Sequence, residues 1–234
     1  MKWISHGGGS VVILEVIAKG AEATLYKELW NDIVVVRKQR LPKKYRHPQL
    51  DNYIRRTRTV TEAKLMFEAR KLGVPTPTIY DVDIDNCIIR MEYITGTRLR
   101  EYMDDIIHSS KYEVLTKIFE TLGIYAGRLH TNGIAHGDLT TSNVIVSDST
   151  LVLIDFGLGT YAKDLESHGV DIHLLLRSLE STHYSIASIC FKHFIKGYSR
   201  EVGEEYANKV VERVHEIRAR ARYVEERIRK RDFI

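Results

Sequence analysis

Asp138, Asn143 and Asp155 are the residues whose types and spacing point most directly to chemistry. They lie in two short segments, His136-Gly137-Asp138-Leu139-Thr140-Thr141-Ser142-Asn143 and Leu151-Val152-Leu153-Ile154-Asp155-Phe156-Gly157. A hard cation takes oxygen ligands, and Mg²⁺ is typically held by one or two carboxylates together with phosphate oxygens and water. Asp155 can supply the carboxylate and Asn143 a neutral carbonyl oxygen. Asp138 is then free to accept a proton from a hydroxyl or a water. Phosphoryl transfer asks for this division of labour: the nucleotide positioned, its charge neutralised, the attacking oxygen oriented. Either segment alone is an ordinary polar turn or a chance tripeptide. Together, in this order and joined by a strand-turn-strand at Asn143–Val146 and Leu151–Ile154, they form a phosphoryl-transfer constellation, with ATP and Mg²⁺ as the implied cofactors.

These residues need a scaffold on both sides. In the amino-terminal half, the apolar runs Val11–Ala18, Ala23–Trp30 and Ile33–Arg37 read as strands, with turns at Lys19-Gly20 and Asn31-Asp32. Gly7-Gly8-Gly9 breaks the chain ahead of them. Gly20, Ala21, Glu22 and Ala23 form either a phosphate-approaching loop or a plain hairpin turn, since one glycine stands where kinases carry three. Lys38, at the end of the third strand, is placed to pair with phosphates, and Arg37 alternates to the opposite face. Pro42, His47 and Pro48 mark an irregular basic loop, and Thr59–Leu72 has helical spacing. Glu62 on that helix is the ion-pair partner expected for Lys38. Glu68 lies nearly two turns further on and cannot face the cleft equally. Strands follow at Thr78–Val82 and Cys87–Tyr93; at the end of the latter the Glu92 carbonyl and Ile94 N–H could bind an adenine edge.

The carboxyl-terminal half reads as helical at Leu99–Ile107, Tyr112–Thr131, Val170–Glu180, Ile186–Tyr198 and Glu201–Arg222. The expected fold is therefore α+β and bilobal, like a compact protein kinase. A small β-rich lobe spans 1–95, with one helix against an antiparallel sheet; a helical lobe spans 96–222, with a short activation segment; a basic tail spans 223–234.

The formal net charge of +4 conceals an asymmetry. Residues 37–58 carry nine Lys/Arg against one Asp, and 213–231 carry eight against three Glu, so the remainder of the chain is acidic. Two basic segments on an acidic body suit an anionic macromolecule, or else are simply solvated faces. No apolar run approaches the length of a membrane span. Two cysteines in apolar stretches imply no disulfide framework and a cytoplasmic, reducing setting.

His-Gly-Asp-Leu-Thr-Thr-Ser-Asn at 136–143, Tyr45-Arg46-His47-Pro48, Arg58-Thr59-Val60-Thr61-Glu62-Ala63 and Gly169-Val170-Asp171 together carry a closer likeness. From about Ile17 onward the chain resembles the small atypical serine/threonine kinase and ATPase subunit of the KEOPS (EKC) complex, related to the RIO kinases. The resemblance implies Lys38, Glu62, Asp138, Asn143 and Asp155 as the catalytic set and Gly20–Ala23 as the nucleotide loop. It implies a role in tRNA threonylcarbamoyladenosine modification, beside an ATPase-fold threonylcarbamoyltransferase subunit on a separate chain. The basic tail (Arg218, Arg220, Arg222, Arg227, Arg229, Lys230, Arg231) and the 37–58 segment then become candidate tRNA contacts, and no membrane partner is expected.

Departures from ordinary kinases refine the picture. Gly137 replaces the arginine that usually precedes the catalytic Asp, Thr140 replaces a lysine, and about a dozen residues separate Gly157 from the next helix with no Ala-Pro-Glu element. Activation-loop control and a peptide platform are therefore not expected. Asp171 is read as capping its helix and bracing the catalytic loop. The competing readings are a small-molecule phosphotransferase, which would carry a larger acidic carboxyl lobe, and a pseudokinase scaffold.

Overall fold

The computed structural model describes residues 11–109 and 111–231, with side chains for 12–109 and 111–220. The glycine break at 7–9 and the last residues of the tail, 232–234, lie outside that range.

Three strands, β1 (Val11–Lys19), β2 (Thr24–Trp30) and β3 (Ile33–Gln39), are joined by tight turns; Asn31 and Asp32 take left-handed backbone angles, which short polar side chains tolerate. Helix α1 (Pro48–Lys71) then crosses to β4 (Ile79–Asp83) and β5 (Ile88–Glu92), closing an antiparallel sheet of order β1-β2-β3-β5-β4. The register pairs Lys38 with Leu25 on one side and Ile89 on the other, so Lys38 sits at an interior strand.

A hinge leads through β6 (Thr97–Arg98) into α2 (Leu99–Ser109) and α3 (Tyr112–Thr131). After β7 (Ile134–Ala135) the chain makes a 3-10 turn at Thr141–Asn143 and the hairpin β8 (Val144–Ser147) and β9 (Thr150–Leu153). The short β10 (Thr160–Tyr161) pairs back on β7, and α4 (Leu165–Thr182), α5 (Tyr184–Val202) and α6 (Glu204–Arg231) complete the second lobe. One buried cluster spans both lobes, from Leu65 and Met66 of α1 through Phe156 and Phe119 to Val214 of α6.

Three sequence expectations are corrected here. Helix α1 begins at Pro48, eleven residues before the expected Thr59. Its first half has no apolar stripe: its one buried residue before Thr59 is Asp51, which accepts from Arg55 at 2.7 Å one turn later. Proline at the first helical position was the available start signal. Helix α4 begins at Leu165 rather than Val170, capped by Asp164, whose side chain accepts from Ser167 N at 2.8 Å. Asp171 lies two turns inside and caps nothing. Helix α6 starts after Gly203 (φ 83°) and continues to Arg231, so helix runs through the segment read as a tail from 223.

Candidate active site

Lys38 is 5% exposed, and its ammonium bridges two carboxylates: Glu62 Oε1 at 2.7 Å and Asp155 Oδ1 at 2.6 Å. Burial works against its charge. The Glu62 and Asp155 carboxylates outweigh that, and the lysine pKa stands above its ordinary value. Burial likewise disfavours the Asp155 carboxylate, and Lys38 reverses the effect, holding it below the usual range. Asp155 has φ 63°, an uncommon angle for a side-chain-bearing residue, and its Oδ1 also accepts from Gly157 N at 3.1 Å. Glu68 is not part of this set; burial and the Glu68 carboxylate raise the Tyr161 hydroxyl pKa instead. Arg37, as expected, faces the other way, 3.1 Å from Glu28 Oε2 and over the Tyr26 ring.

Asp138 and Asn143 stand across the cleft. Asn143 Nδ2 donates to the Asp138 carbonyl at 2.9 Å and to Asp138 Oδ2 at 2.8 Å. Both hydrogen bonds of the Asn143 amide nitrogen go to Asp138, which leaves the side-chain carbonyl oxygen of this cleft-lining residue outside them. Among the described residues no hydrogen bond engages that oxygen, Asp138 Oδ1 or Asp155 Oδ2. The free oxygens are of the kind a Mg²⁺–nucleotide takes: one carboxylate and one amide carbonyl, with room for phosphate and water. The described residues hold no cluster of three or more His, Cys, Asp or Glu that would bind a metal unaided.

The loop carrying Asp138 is held from below. Asp171 accepts from His136 N at 2.6 Å, from Gly137 N at 2.7 Å, and from His130 Nε2 at 3.2 Å. Burial alone would raise its carboxyl; the bonds from His130 and these amides keep it lowered. The bracing role expected of Asp171 is thus present without the capping role. His136 is fully buried, and burial lowers its pKa, leaving a neutral ring whose Nε2–H donates to Ile154 O at 3.2 Å while Nδ1 accepts from Asp138 N at 3.3 Å. Gly137 has φ 80°, and a Cβ there would lie 2.1 Å from the Leu158 carbonyl oxygen. Glycine replaces the usual arginine because the catalytic loop and the segment after Gly157 touch backbone to backbone, leaving no space for a side chain.

A second imidazole lies beneath this brace. His168 stacks on His130 with ring centroids 4.1 Å apart, and its Nδ1 bonds the Tyr206 hydroxyl at 2.8 Å. Burial, with the neighbouring His130, pushes its pKa down to about 4. The unfolded chain therefore binds a proton at His168 below about pH 6.5 that the folded protein refuses until about pH 4. Stability from this group is whole above the unfolded value and is lost as pH falls through that window. Thermal midpoints measured at pH 7.5 and pH 4.5 should drop on acidification. The drop should shrink in His168→Gln; an equal drop in both proteins would contradict the assignment.

The lining of a cleft of about 300 Å³ includes Gly20, Ala21, Glu22 and Ala23 along with Lys38, Asp138, Asn143 and Asp155. Gly20 N donates to Ala23 O at 2.9 Å, closing the loop tightly. The Glu22 side chain does not enter the cleft chemistry: it pairs with Arg58 at 2.8 Å and Arg46 at 3.3 Å on the α1 side. Glu92 and Ile94 sit at the end of β5 and in the hinge, and neither lines this cleft. The Glu92 side chain instead accepts from Thr78 N at 3.0 Å.

Two cations in the lining were not marked by any motif. Arg40 is 2% exposed and donates to Glu62 Oε2. Strand alternation was the available signal, since residues 38 and 40 share a face. Arg98, exposed on the β6 edge, was without one. The basic segment 37–58 is also largely compensated. Arg37, Lys38, Arg40, Arg46, Arg55, Arg56 and Arg58 all pair with carboxylates, among them Asp51 and Asp85, leaving Lys43 and Lys44 without an ion pair among the described residues. Further along, Arg213 and Arg220 pair with Glu166, and Arg218 with Glu180. The side chains of Arg222, Arg227, Arg229, Lys230 and Arg231 lie outside the described residues.

Comparison with known proteins places these observations in company. Residues 11–170 match the RIO domain family model. The KEOPS complex subunit Bud32 of Pyrococcus abyssi is 40% identical over 218 residues, covering 91% of this chain and 97% of that protein. A bifunctional tRNA threonylcarbamoyladenosine biosynthesis protein of Methanothermobacter thermautotrophicus is 39% identical over 211 residues, covering 90% of this chain but 37% of the relative. The chain thus spans little more than a third of that longer protein. Among solved structures, the Rio2 kinase–ADP/Mg²⁺-phosphoaspartate complex of Chaetomium thermophilum has a TM-score of 0.55 at 15% identity, covering 87% of this chain and 71% of that one, a likeness of fold alone.

Proposed function

The chain belongs to the RIO domain family and, within it, to the family of the KEOPS subunit Bud32, and we propose on that premise that it is an ATP-consuming, kinase-fold subunit serving tRNA threonylcarbamoyladenosine formation. The observation that carries the reading is the Lys38 ammonium shared by Glu62 and Asp155, opposite an Asp138–Asn143 pair with free oxygens. Lys38 grips the nucleotide phosphates and Glu62 orients it. Asn143 and Asp155 would hold Mg²⁺, which would neutralise phosphate charge. Asp138 Oδ1 accepts the proton of the attacking hydroxyl or water. Gly20–Ala23 roof the phosphates through backbone. The Glu92 carbonyl and Ile94 N–H, which lie outside the lining of the 300 Å³ phosphate cleft, would meet the adenine edge where the nucleotide extends past it toward the hinge.

Only seven residues separate Gly157 from α4, fewer than the sequence suggested. That stretch offers little surface to hold a peptide substrate, which favours water, or a hydroxyl presented by a partner, as acceptor. The P. abyssi relative, covered almost end to end, is named as a subunit of a complex; the longer relatives are named for tRNA threonylcarbamoyladenosine biosynthesis. Both names support a subunit of a complex that serves tRNA threonylcarbamoyladenosine formation; the cytoplasmic setting and the separate threonylcarbamoyltransferase chain belong to the same proposal. No described helix is long and apolar enough to cross a membrane.

Turnover of [γ-³²P]ATP, measured with and without that partner and tRNA and with protein, small-molecule and water as acceptors, tests the reading. Phosphate release stimulated by the partner supports it. Transfer confined to a small molecule, or no turnover under any condition, would overturn it. Asp155→Ala should weaken Mg²⁺–ATP affinity by at least about 10–100-fold, the loss that follows from removing even an outer-shell partner of a metal ligand. Unchanged affinity by calorimetry would remove Asp155 from the metal site. For tRNA, the ion pairs within 37–58 shift the expected contact toward the end of α6. Affinity should fall steeply with salt, and deleting 223–234 should weaken it; salt-independent binding, or none lost on deletion, would end that part of the reading.

A further inference from the structure

The Lys38–Glu62–Asp155 set does not account for Arg40. This guanidinium is 2% exposed, yet it borders the nucleotide cleft. It donates through Nη2 to Glu62 Oε2, and Nη1 reaches Thr59 Oγ1 at 3.4 Å. Its Nε has no hydrogen-bond partner. Glu62 is itself 1% exposed and carries a cation on each oxygen: Lys38 on Oε1 and Arg40 on Oε2.

Within this linked set of four the charges balance, with Lys38 and Arg40 against Glu62 and Asp155. They would not balance during a catalytic cycle if Glu62 had Lys38 alone. Resting on the function proposed above, binding of a Mg²⁺–nucleotide draws Asp155 to the metal and Lys38 toward the phosphates. A buried carboxylate deprived of its cation is strongly unfavourable. Glu62 would then hold Lys38 back. Arginine stays protonated under all working conditions and, seated on Oε2, does not compete for the place of Lys38.

We propose that Arg40 is a positioning residue that keeps Glu62 neutralised, so that Lys38 is free to engage the nucleotide phosphates. The sharing of one glutamate by Lys38 of β3 and Arg40, the residue just past the end of that strand, is the structural basis of this role.

The test compares full-length wild type with Arg40→Met, Arg40→Lys and the double variant Arg40→Met/Glu62→Gln, alongside Glu62→Gln. The primary readout is binding of Mg²⁺–ADP, which needs no turnover, with adenosine as the ligand lacking phosphates. Arg40→Met should weaken Mg²⁺–ADP about tenfold or more and lower ATP kcat/KM by about 10–100-fold, the scale of a misplaced catalytic group. Adenosine affinity should not change. Arg40→Lys should recover part of the loss. In the Glu62→Gln background, where no charge needs neutralising, Arg40→Met should add little. The proposal is overturned if Arg40→Met binds Mg²⁺–ADP like wild type, if it loses adenosine in the same proportion, or if the two substitutions multiply independently. Absence of ATP turnover in wild type that still binds Mg²⁺–ADP would count against the enzymatic reading and leave the affinity comparison to decide on Arg40.

Discussion

Asp138→Ala is expected to lower ATP turnover by about 10²–10⁴-fold, the range for removing a positioned general base, while nucleotide affinity stays within about threefold, the signature of an interaction made only in the transition state. Two features predict this split. Asp138 Oδ1 has no bond to give up among the described residues, and the one side-chain bond lost there is that from Asn143 Nδ2 to Oδ2. Asn143 remains held without the Asp138 side chain, because its Nδ2 also donates to the Asp138 backbone carbonyl at 2.9 Å. The metal ligand keeps its aim after the base is gone. Asp138→Asn should behave alike, since it preserves shape and removes the proton acceptor. Single-turnover assays beside equilibrium titration with Mg²⁺–ADP check the pair. Normal turnover in either variant would displace Asp138 from its role, and loss of affinity in step with turnover would mean that it holds the nucleotide instead.

Asp171→Ala carries the second large effect, on stability and turnover together. The residue is 1% exposed and accepts from three donors, two of them the amides of His136 and Gly137. Leaving those buried donors without an acceptor should destabilise the protein by about 3 kcal/mol or more, or roughly 6–12 °C in thermal midpoint for a chain of this size. The catalytic loop would lose its floor, and turnover should fall by about 10–100-fold even at temperatures where the variant is folded. Calorimetric midpoints and ATPase rates on one preparation separate the two effects. A variant with wild-type rates after correction for folded fraction would make Asp171 a stabilising residue only.

Much of this arrangement was legible beforehand, for identifiable reasons. The strands announced themselves because apolar residues and turn chemistry coincide at Lys19-Gly20 and Asn31-Asp32. Helix α3 was readable to its ends, since its core-facing residues repeat at helical spacing and Asn132-Gly133 stops it. The pairing of Lys38 with Glu62 followed from strand and helix order, and Asp155 joined them where the Asp-Phe-Gly element required. The first half of α1 was hidden because its buried residue is an aspartate, and periodicity arguments look for apolar side chains. Arg40 was hidden for the opposite reason: a basic residue in a basic stretch reads as surface. Net charge along a segment says nothing about which carboxylates fold back onto it, and the acids that neutralise 37–58 come from places as distant in sequence as Glu22, Asp85 and Asp155.

One of those pairings bears on how the protein responds to its medium. Glu22, in the roof of the cleft, is moored by Arg58 and Arg46 through partly exposed ion pairs. Such pairs are weakened by dissolved ions. Rising ionic strength should therefore loosen the roof and hasten nucleotide exchange, independently of any RNA. At high salt the same cleft would trade retention for throughput.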